Sequence, residues 1–168
     1  TEVYLQTAQA AIDRGRGVII LVPEIALTPQ MIQRIQSRFG SSIAVLHSRL
    51  TPSQRYEQWQ RILREDVRLV VGARSAVFAP LRRIGLIIVD EEQESSYKSE
   101  THPRYHAREV ARMRAKAHGA VLLMGSATPS IETYVRSEQG TSKRLTLPDR
   151  ISPSGLAHTQ IVDMRQEL

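Results

Sequence analysis

Along most of the chain, apolar residues alternate between the helical period and short unbroken runs rich in Val, Ile and Leu, the pattern of successive βαβ units. The opening stretch places Tyr4, Leu5, Ala8, Ala11 and Ile12 on one helical face and stops at Gly15 or Gly17, which predicts a helix that starts upstream of Thr1. Residues 18 to 23 (VIILVP) predict a buried strand. Thr28 and Pro29 then supply an N-cap and a first-turn proline for a helix that turns Met31, Ile32, Ile35 and Phe39 inward. SIAVLHS predicts a second strand. The helix after it enters through Thr51-Pro52, with Gln54 in capping-box position and Tyr56, Trp59, Ile62 and Leu63 on the buried side.

Residues 67 to 73 predict a third strand, which leads into a turn-rich segment ending near Pro80. Residues 84 to 90 form the most apolar strand, and it stops abruptly in acid. HPRYHAREVARMRAKAHG predicts a helix ended by Gly119, residues 120 to 125 a fifth strand, and SIETYVRSEQG a helix with Ser130 near its start. Strand-like runs also lie at Arg144 to Leu147 and Gln160 to Met164. Apolar strands joined by helices imply an α/β fold, a mostly parallel sheet covered on both faces, whose ligands gather beyond the carboxyl ends of the strands. Polar clusters collect there: PEIALTP, HSRL, GARSA, DEEQ and GSATPS each follow a predicted strand.

Composition narrows the class. A chain of 168 residues without repeats or an internal linker fits one domain of the usual size, roughly 100 to 200 residues. Lys+Arg 23 against Asp+Glu 17 gives a net charge of +6, nearly all of the cations being Arg. That balance points to a polyanionic partner, nucleic acid or nucleotide, because the planar guanidinium fork suits phosphate; a solvated basic surface is the competing explanation. Cysteine is absent, which excludes disulfides and thiolate zinc sites within these residues. No apolar run approaches the roughly 20 residues of a membrane span, and the N-terminus lacks a signal-peptide pattern, so a cytoplasmic protein without membrane contact is expected.

The most informative string is LIIVDEEQ. A buried strand ending in consecutive carboxylates sets Asp90 and Glu91 at the sheet edge, where magnesium and phosphates bind. Mg²⁺ keeps several waters and takes one or two carboxylates plus phosphates, so Asp90 is the expected ligand, directly or through water. Glu91 is placed to orient or deprotonate an attacking water. In MGSATPS, after the next strand, Ser126 and Thr128 are expected to hydrogen-bond across to the carboxylate pair.

The strings TEVYLQ, LVPEIALTPQM, VLHSRLTPSQR, VVGARSAVFAPL, LIIVDEEQESSYKSE, PRYHAREVA and LLMGSATPSIET, in that order, resemble the replication-restart primosomal DNA helicases of superfamily 2. The resemblance covers essentially the whole chain. It implies a RecA-like three-layer sandwich, the first of two motor domains, with residues 141 to 168 leading toward the second. It implies ATP and Mg²⁺ as cofactors and 3′ to 5′ unwinding of DNA in replication restart and primosome assembly. Forked and single-stranded DNA, primosome proteins and single-strand-binding proteins are the implied partners, in a cytoplasmic, nucleoid-associated setting. Family zinc-binding cysteines are expected outside these residues.

In that family the phosphate-binding loop ends in Gly-Lys-Thr before Glu-Val-Tyr, so Thr1 matches the Thr whose hydroxyl ligates Mg²⁺, and this chain alone is expected to be inactive. Gln93 stands where the family usually has His, and its amide is expected to serve the γ-phosphate or the SAT motif. The resemblance further implies that Pro23, Glu24, Thr28, Arg74 and Ser75 line the path of the DNA strand, with weaker candidates in His47 and Ser48. Tyr97, Lys98, Arg104, Tyr105 and His106 fall in an aromatic-rich loop suited to stacking on bases. Competing roles are a cap or a salt bridge to Glu24 for Arg74, core packing for Tyr105, and a solvated stripe for Arg104, Arg108 and Arg112. The alternative function is a catalytically silent nucleic-acid-binding module of the same fold.

Overall fold

The structure is a computed structural model that describes residues 2–148 and residue 162. Two compact units divide the chain, Thr1–Tyr134 and Val135–Leu168.

The first unit follows the sequence pattern closely. Helix α1 (Glu2–Asp13) precedes strand β1 (Gly17–Leu21), and α2 (Pro29–Phe39) precedes β2 (Ile43–Leu46). Helix α3 (Pro52–Leu63) leads to β3 (Leu69–Gly72), and a 3-10 turn over Arg74–Phe78 leads to β4 (Ile84–Val89). Two short strands, β5 (Lys98–Ser99) and β6 (Tyr105–His106), pair antiparallel before α4 (Ala107–His118), β7 (Val121–Met124) and the start of α5 (Ile131–Glu138), whose residues from Val135 belong to the second unit. The five long strands form one parallel sheet in the order β2-β3-β1-β4-β7.

Side chains alternate across that sheet, so each strand feeds two cores. Ile19 and Leu21 of β1 face the cluster built with Ile62 of α3 and Ala107, Ala111 and Ala115 of α4. Val18 and Ile20 face the other cluster, with Leu5 and Ala8 of α1 and Ile35 of α2. This is the three-layer α/β sandwich expected from uninterrupted apolar strands, with every β1 residue buried.

Helix starts obey their caps. The Thr28 hydroxyl accepts from the Met31 amide at 3.2 Å, and Thr51 with Gln54 completes a reciprocal capping box. Helix α4 begins later than the periodicity predicted, because residues 98–99 and 105–106 pair as a hairpin and the His106 ring accepts from the Arg108 amide to cap the helix. Gly119 ends it at φ 58°, ψ 35°, a left-handed conformation suited to glycine. Tyr56 departs from its expected burial: it is 66% exposed, because α3 turns Ile62 inward and carries Tyr56 on another face.

In the second unit, the Arg136 carbonyl accepts from the Thr141 amide and hydroxyl, and Arg144 pairs with Glu138 at 2.9 Å. The strand expected at Arg144 to Leu147 does not form; Leu145 and Leu147 are exposed, and no neighbouring strand pairs with them among the described residues. The run from Gln160 to Met164 lies outside the described residues except for Val162.

Candidate functional site

Strand ends build the site. Strands β4 and β7 are parallel neighbours, with Val89 opposite Met124, so the residues that follow them emerge side by side. The Asp90 amide is still tied to the Leu21 carbonyl at 2.9 Å and that of Glu92 to the Gly125 carbonyl at 3.0 Å. The acidic turn is thereby stitched to β1 on one side and to the end of β7 on the other. Glu91 sits at φ 46°, in the left-handed region. Such a conformation costs a residue with a side chain about 1–3 kcal/mol and persists where surrounding contacts over-determine it.

The four residues of DEEQ point to three different tasks. Asp90 accepts from the Tyr4 hydroxyl at 2.8 Å through Oδ1, and its other carboxylate oxygen has no protein partner among the described residues. The Tyr97 hydroxyl donates to the Asp90 carbonyl at 2.7 Å. Burial, reinforced by Asp90 and Glu91, pushes the Tyr4 phenol well above its ordinary range, and burial does the same to Tyr97; both remain donors. Glu91 accepts from the Gln93 amide at 2.8 Å, and Gln93 accepts from the Ser126 hydroxyl at 2.5 Å. Gln93 therefore bridges the two strand-end motifs.

Glu92 is the residue that sequence reasoning passed over. It is 1% exposed and accepts from the Arg108 guanidinium at 2.5 Å, the Ser130 amide at 2.7 Å and the hydroxyls of Ser130 and Thr133 at 3.1 and 3.0 Å. Burial pushes its pKa up, but these donors and the Arg108 charge outweigh burial and hold the carboxyl below its ordinary value. Because a buried carboxylate needs such a set, Arg108 is no part of a solvated stripe. Tyr4 was expected only as a core residue, and nothing in its helical spacing announces a bond to Asp90.

The SAT motif is corrected in one respect. Ser126 reaches Gln93 rather than the carboxylate pair, and Thr128 contributes its backbone amide, donating to the Ser126 hydroxyl at 2.9 Å. Gly125 is required beside it: a Cβ there would stand 1.7 Å from the Tyr4 hydroxyl. We expect Gly125→Ala to displace Tyr4 from Asp90, and Tyr4→Phe to remove the bond without the clash. Thermal unfolding should then register a loss of about 1 kcal/mol for Tyr4→Phe and a larger one for Gly125→Ala.

The expected DNA-facing residues divide. Thr28 and Ser75 are exposed at the strand ends, as are Lys98 and Arg104. Pro23 is buried at the start of a 3-10 turn, so it supports the loop rather than its surface. Glu24 is exposed but does not pair with Arg74; it accepts from the amide and hydroxyl of Ser48, and the Ser48 hydroxyl foremost holds its pKa down. Arg74 donates to the carbonyls of Ser96 and Lys98 at 3.2 and 2.5 Å and lies 5.9 Å over the Tyr105 ring. It thus anchors the loop after DEEQ.

Tyr97 is 1% exposed, so its ring cannot stack on a base; it packs in the core beneath the loop. Tyr105 is half-buried and meets Phe78 edge-on at 4.9 Å. His106 serves as the α4 cap, with its pKa lowered mainly by burial. A cleft of about 580 Å³ remains, lined by Lys98, Ser99, Glu100, Arg104, Tyr105 and His106. Thr1 lies outside the described residues.

Donor chemistry at Asp90 fits magnesium: one partly exposed carboxylate keeps an oxygen available, as a hard cation shared with phosphates requires. Among the described residues no cluster of three or more acidic, His or Cys side chains could hold a metal without such phosphates, and no helix is long and apolar enough to cross a membrane.

A parallel α/β sandwich with an acidic turn and a Ser-Ala-Thr turn side by side at its carboxyl edge is the architecture of a helicase motor domain. Residues 1–136 match the DEAD/DEAH box helicase family, and the chain belongs to it. Over its whole length it is 51% identical to the replication restart protein PriA of Bacillus subtilis, and over 99% of its length it is 50% identical to the PriA of Treponema pallidum. It spans 21% and 25% of those two proteins. The C-terminal domain of S. cerevisiae Dbp5 aligns over 76% of this chain and 71% of its own with a TM-score of 0.50 and 10% identity, a likeness of fold alone and in keeping with the expected RecA-like sandwich.

Proposed function

We propose that this chain is the first motor domain of an ATP-driven DNA helicase acting in replication restart, moving 3′ to 5′, with residues after about Gly140 leading toward a second motor domain. The observation that carries this reading is the hydrogen-bond chain Glu91–Gln93–Ser126, which joins the two strand-end motifs beside Asp90. Asp90, with the Thr1 hydroxyl, would hold Mg²⁺, which when bound neutralises charge on the phosphates. Glu91 orients and accepts a proton from the attacking water. Gln93 keeps the Glu91 carboxylate aimed while its carbonyl end reports the position of Ser126. Because neither an amide nor an aliphatic hydroxyl titrates in the working pH range, the Gln93–Ser126 bond itself involves no titrating group.

Thr28, Ser75, Lys98 and Arg104 would meet the DNA backbone at the strand ends, where positioning contacts to phosphate carry no sequence information. Arg74 and Tyr105 hold the loop that leaves DEEQ. Forked DNA, single-strand-binding protein and primosome proteins are the partners this reading names.

The test uses a longer protein that includes this chain and its phosphate-binding loop. Ser126→Ala should keep basal ATP hydrolysis within a few-fold and lower its stimulation by single-stranded DNA, with unwinding falling by about ten-fold or more; Gln93→Ala, which also releases the Glu91 carboxylate, should lower basal hydrolysis as well. Unchanged stimulation and unwinding in both variants would refute the coupling role.

A further inference from the structure

We infer that the groove at the N-terminal end of α3 is a stacking subsite for a base of single-stranded DNA, with Arg55 and Arg49 holding the flanking phosphates. The inference rests on the reading that the strand-end loops meet DNA.

The groove has a volume of about 400 Å³ and is lined by Leu50, Pro52, Arg55, Tyr56 and Trp59. Tyr56 and Trp59 are three residues apart on one helix and so lie on neighbouring positions of one face. Neither ring joins either core, and Tyr56 is 66% exposed, although helical periodicity assigns both to the buried side. Tyr56 is thus exposed and Trp59 half-buried on a helix whose start is fixed by a complete capping box. A rigid, open aromatic face is what a base requires, since stacking is tolerant of sequence.

Cations complete the chemistry. Arg55 lines the groove and Arg49 is exposed in the loop that enters α3. Neither forms an ion pair among the described residues. The Glu24 carboxylate, which feels the Arg49 charge, is engaged by Ser48. The same contact ties the HSRL loop, which leads into α3, to the PEIALTP loop, which leads into α2 through Thr28. A protein partner would need roughly 800 Å² of surface on this side, whereas the apolar residues here occupy a single helical turn flanked by arginines.

Trp59 is the only tryptophan of the chain, so its emission reports occupancy of the groove directly. The 168-residue chain is titrated with oligothymidylate, with an abasic oligonucleotide of equal length and with poly-glutamate, and fluorescence anisotropy of labelled DNA measures total binding in parallel. Oligothymidylate should quench Trp59, and the abasic strand should bind more weakly without quenching. Tyr56→Ala should weaken oligothymidylate binding on the order of ten-fold and leave abasic binding and thermal unfolding unchanged. Arg55→Gln should lower the slope of log affinity against log salt by about 0.7, the value for one phosphate on a single strand.

DNA binding by anisotropy with no Trp59 quench, or full affinity in Tyr56→Ala, would overturn the subsite while leaving the strand-end reading intact. Absence of any DNA binding would overturn both. Quenching by poly-glutamate equal to that by oligothymidylate would make the groove an acidic-protein docking site and overturn the assignment to a base.

Discussion

Glu91→Gln, in a longer protein that carries this chain with its phosphate-binding loop, is expected to leave nucleotide affinity nearly unchanged while hydrolysis falls by roughly 10²–10⁴-fold, the usual span of a positioned general base. The substitution preserves volume, and the new amide can keep a hydrogen bond to Gln93, which now donates at 2.8 Å. What is lost is the carboxylate charge and its capacity to accept a proton. The left-handed backbone at Glu91 should persist, because the Glu94 amide bonds the Glu91 carbonyl at 2.8 Å and the neighbouring amides are tied to β1 and β7. Equilibrium binding of a fluorescent nucleotide and steady-state hydrolysis, measured on the same preparation, separate the two effects. An equal loss of binding would mean that Glu91 supports the fold of the turn rather than the chemistry.

Arg108→Ala should be the most destabilising single change in the site. Its guanidinium is 11% exposed and faces a Glu92 side chain that is 1% exposed. Removing one member of a buried ion pair costs about 3–5 kcal/mol, because the remaining charge is left without its counterion. Folded Glu92 has a pKa below its ordinary value of 4.5, so its contribution to stability is complete above that value and is lost as pH falls through the lower folded value. The deficit of Arg108→Ala should therefore be largest near neutral pH and shrink on acidification, where Glu92 is protonated and needs no cation. Chemical denaturation at several pH values reads both effects. A deficit under about 1 kcal/mol at neutral pH would mean that Ser130 and Thr133 satisfy Glu92 without Arg108.

Much of this was legible in the residues themselves. Apolar runs bounded by caps located every long strand, and the Thr51-Gln54 pair announced its capping box, because hydrophobic period and cap chemistry are local properties. The acidic stop after IGLIIV located the site for the same reason: a buried strand that ends in charge must end at the sheet edge. Partner choice was not legible. DEEQ shows four polar side chains at one place, but only the donors brought by α4 and by Ser130 and Thr133 make Glu92 a buried structural carboxylate and leave Glu91 to Gln93.

Aromatic residues mark the boundary most clearly. From the sequence, Tyr56 is expected to face the core, Tyr97 to stack on a base, and Tyr105 to do one or the other. Tyr97 is sealed under the loop, Tyr105 is shared between Phe78 and Arg74, and Tyr56 is left in solvent. Residue type and spacing determined the fold class, the strand ends and the kind of chemistry gathered there. Which side chain of each motif faces substrate, core or water was decided only in three dimensions, because burial and hydrogen-bond partners depend on which distant elements the sheet order brings together.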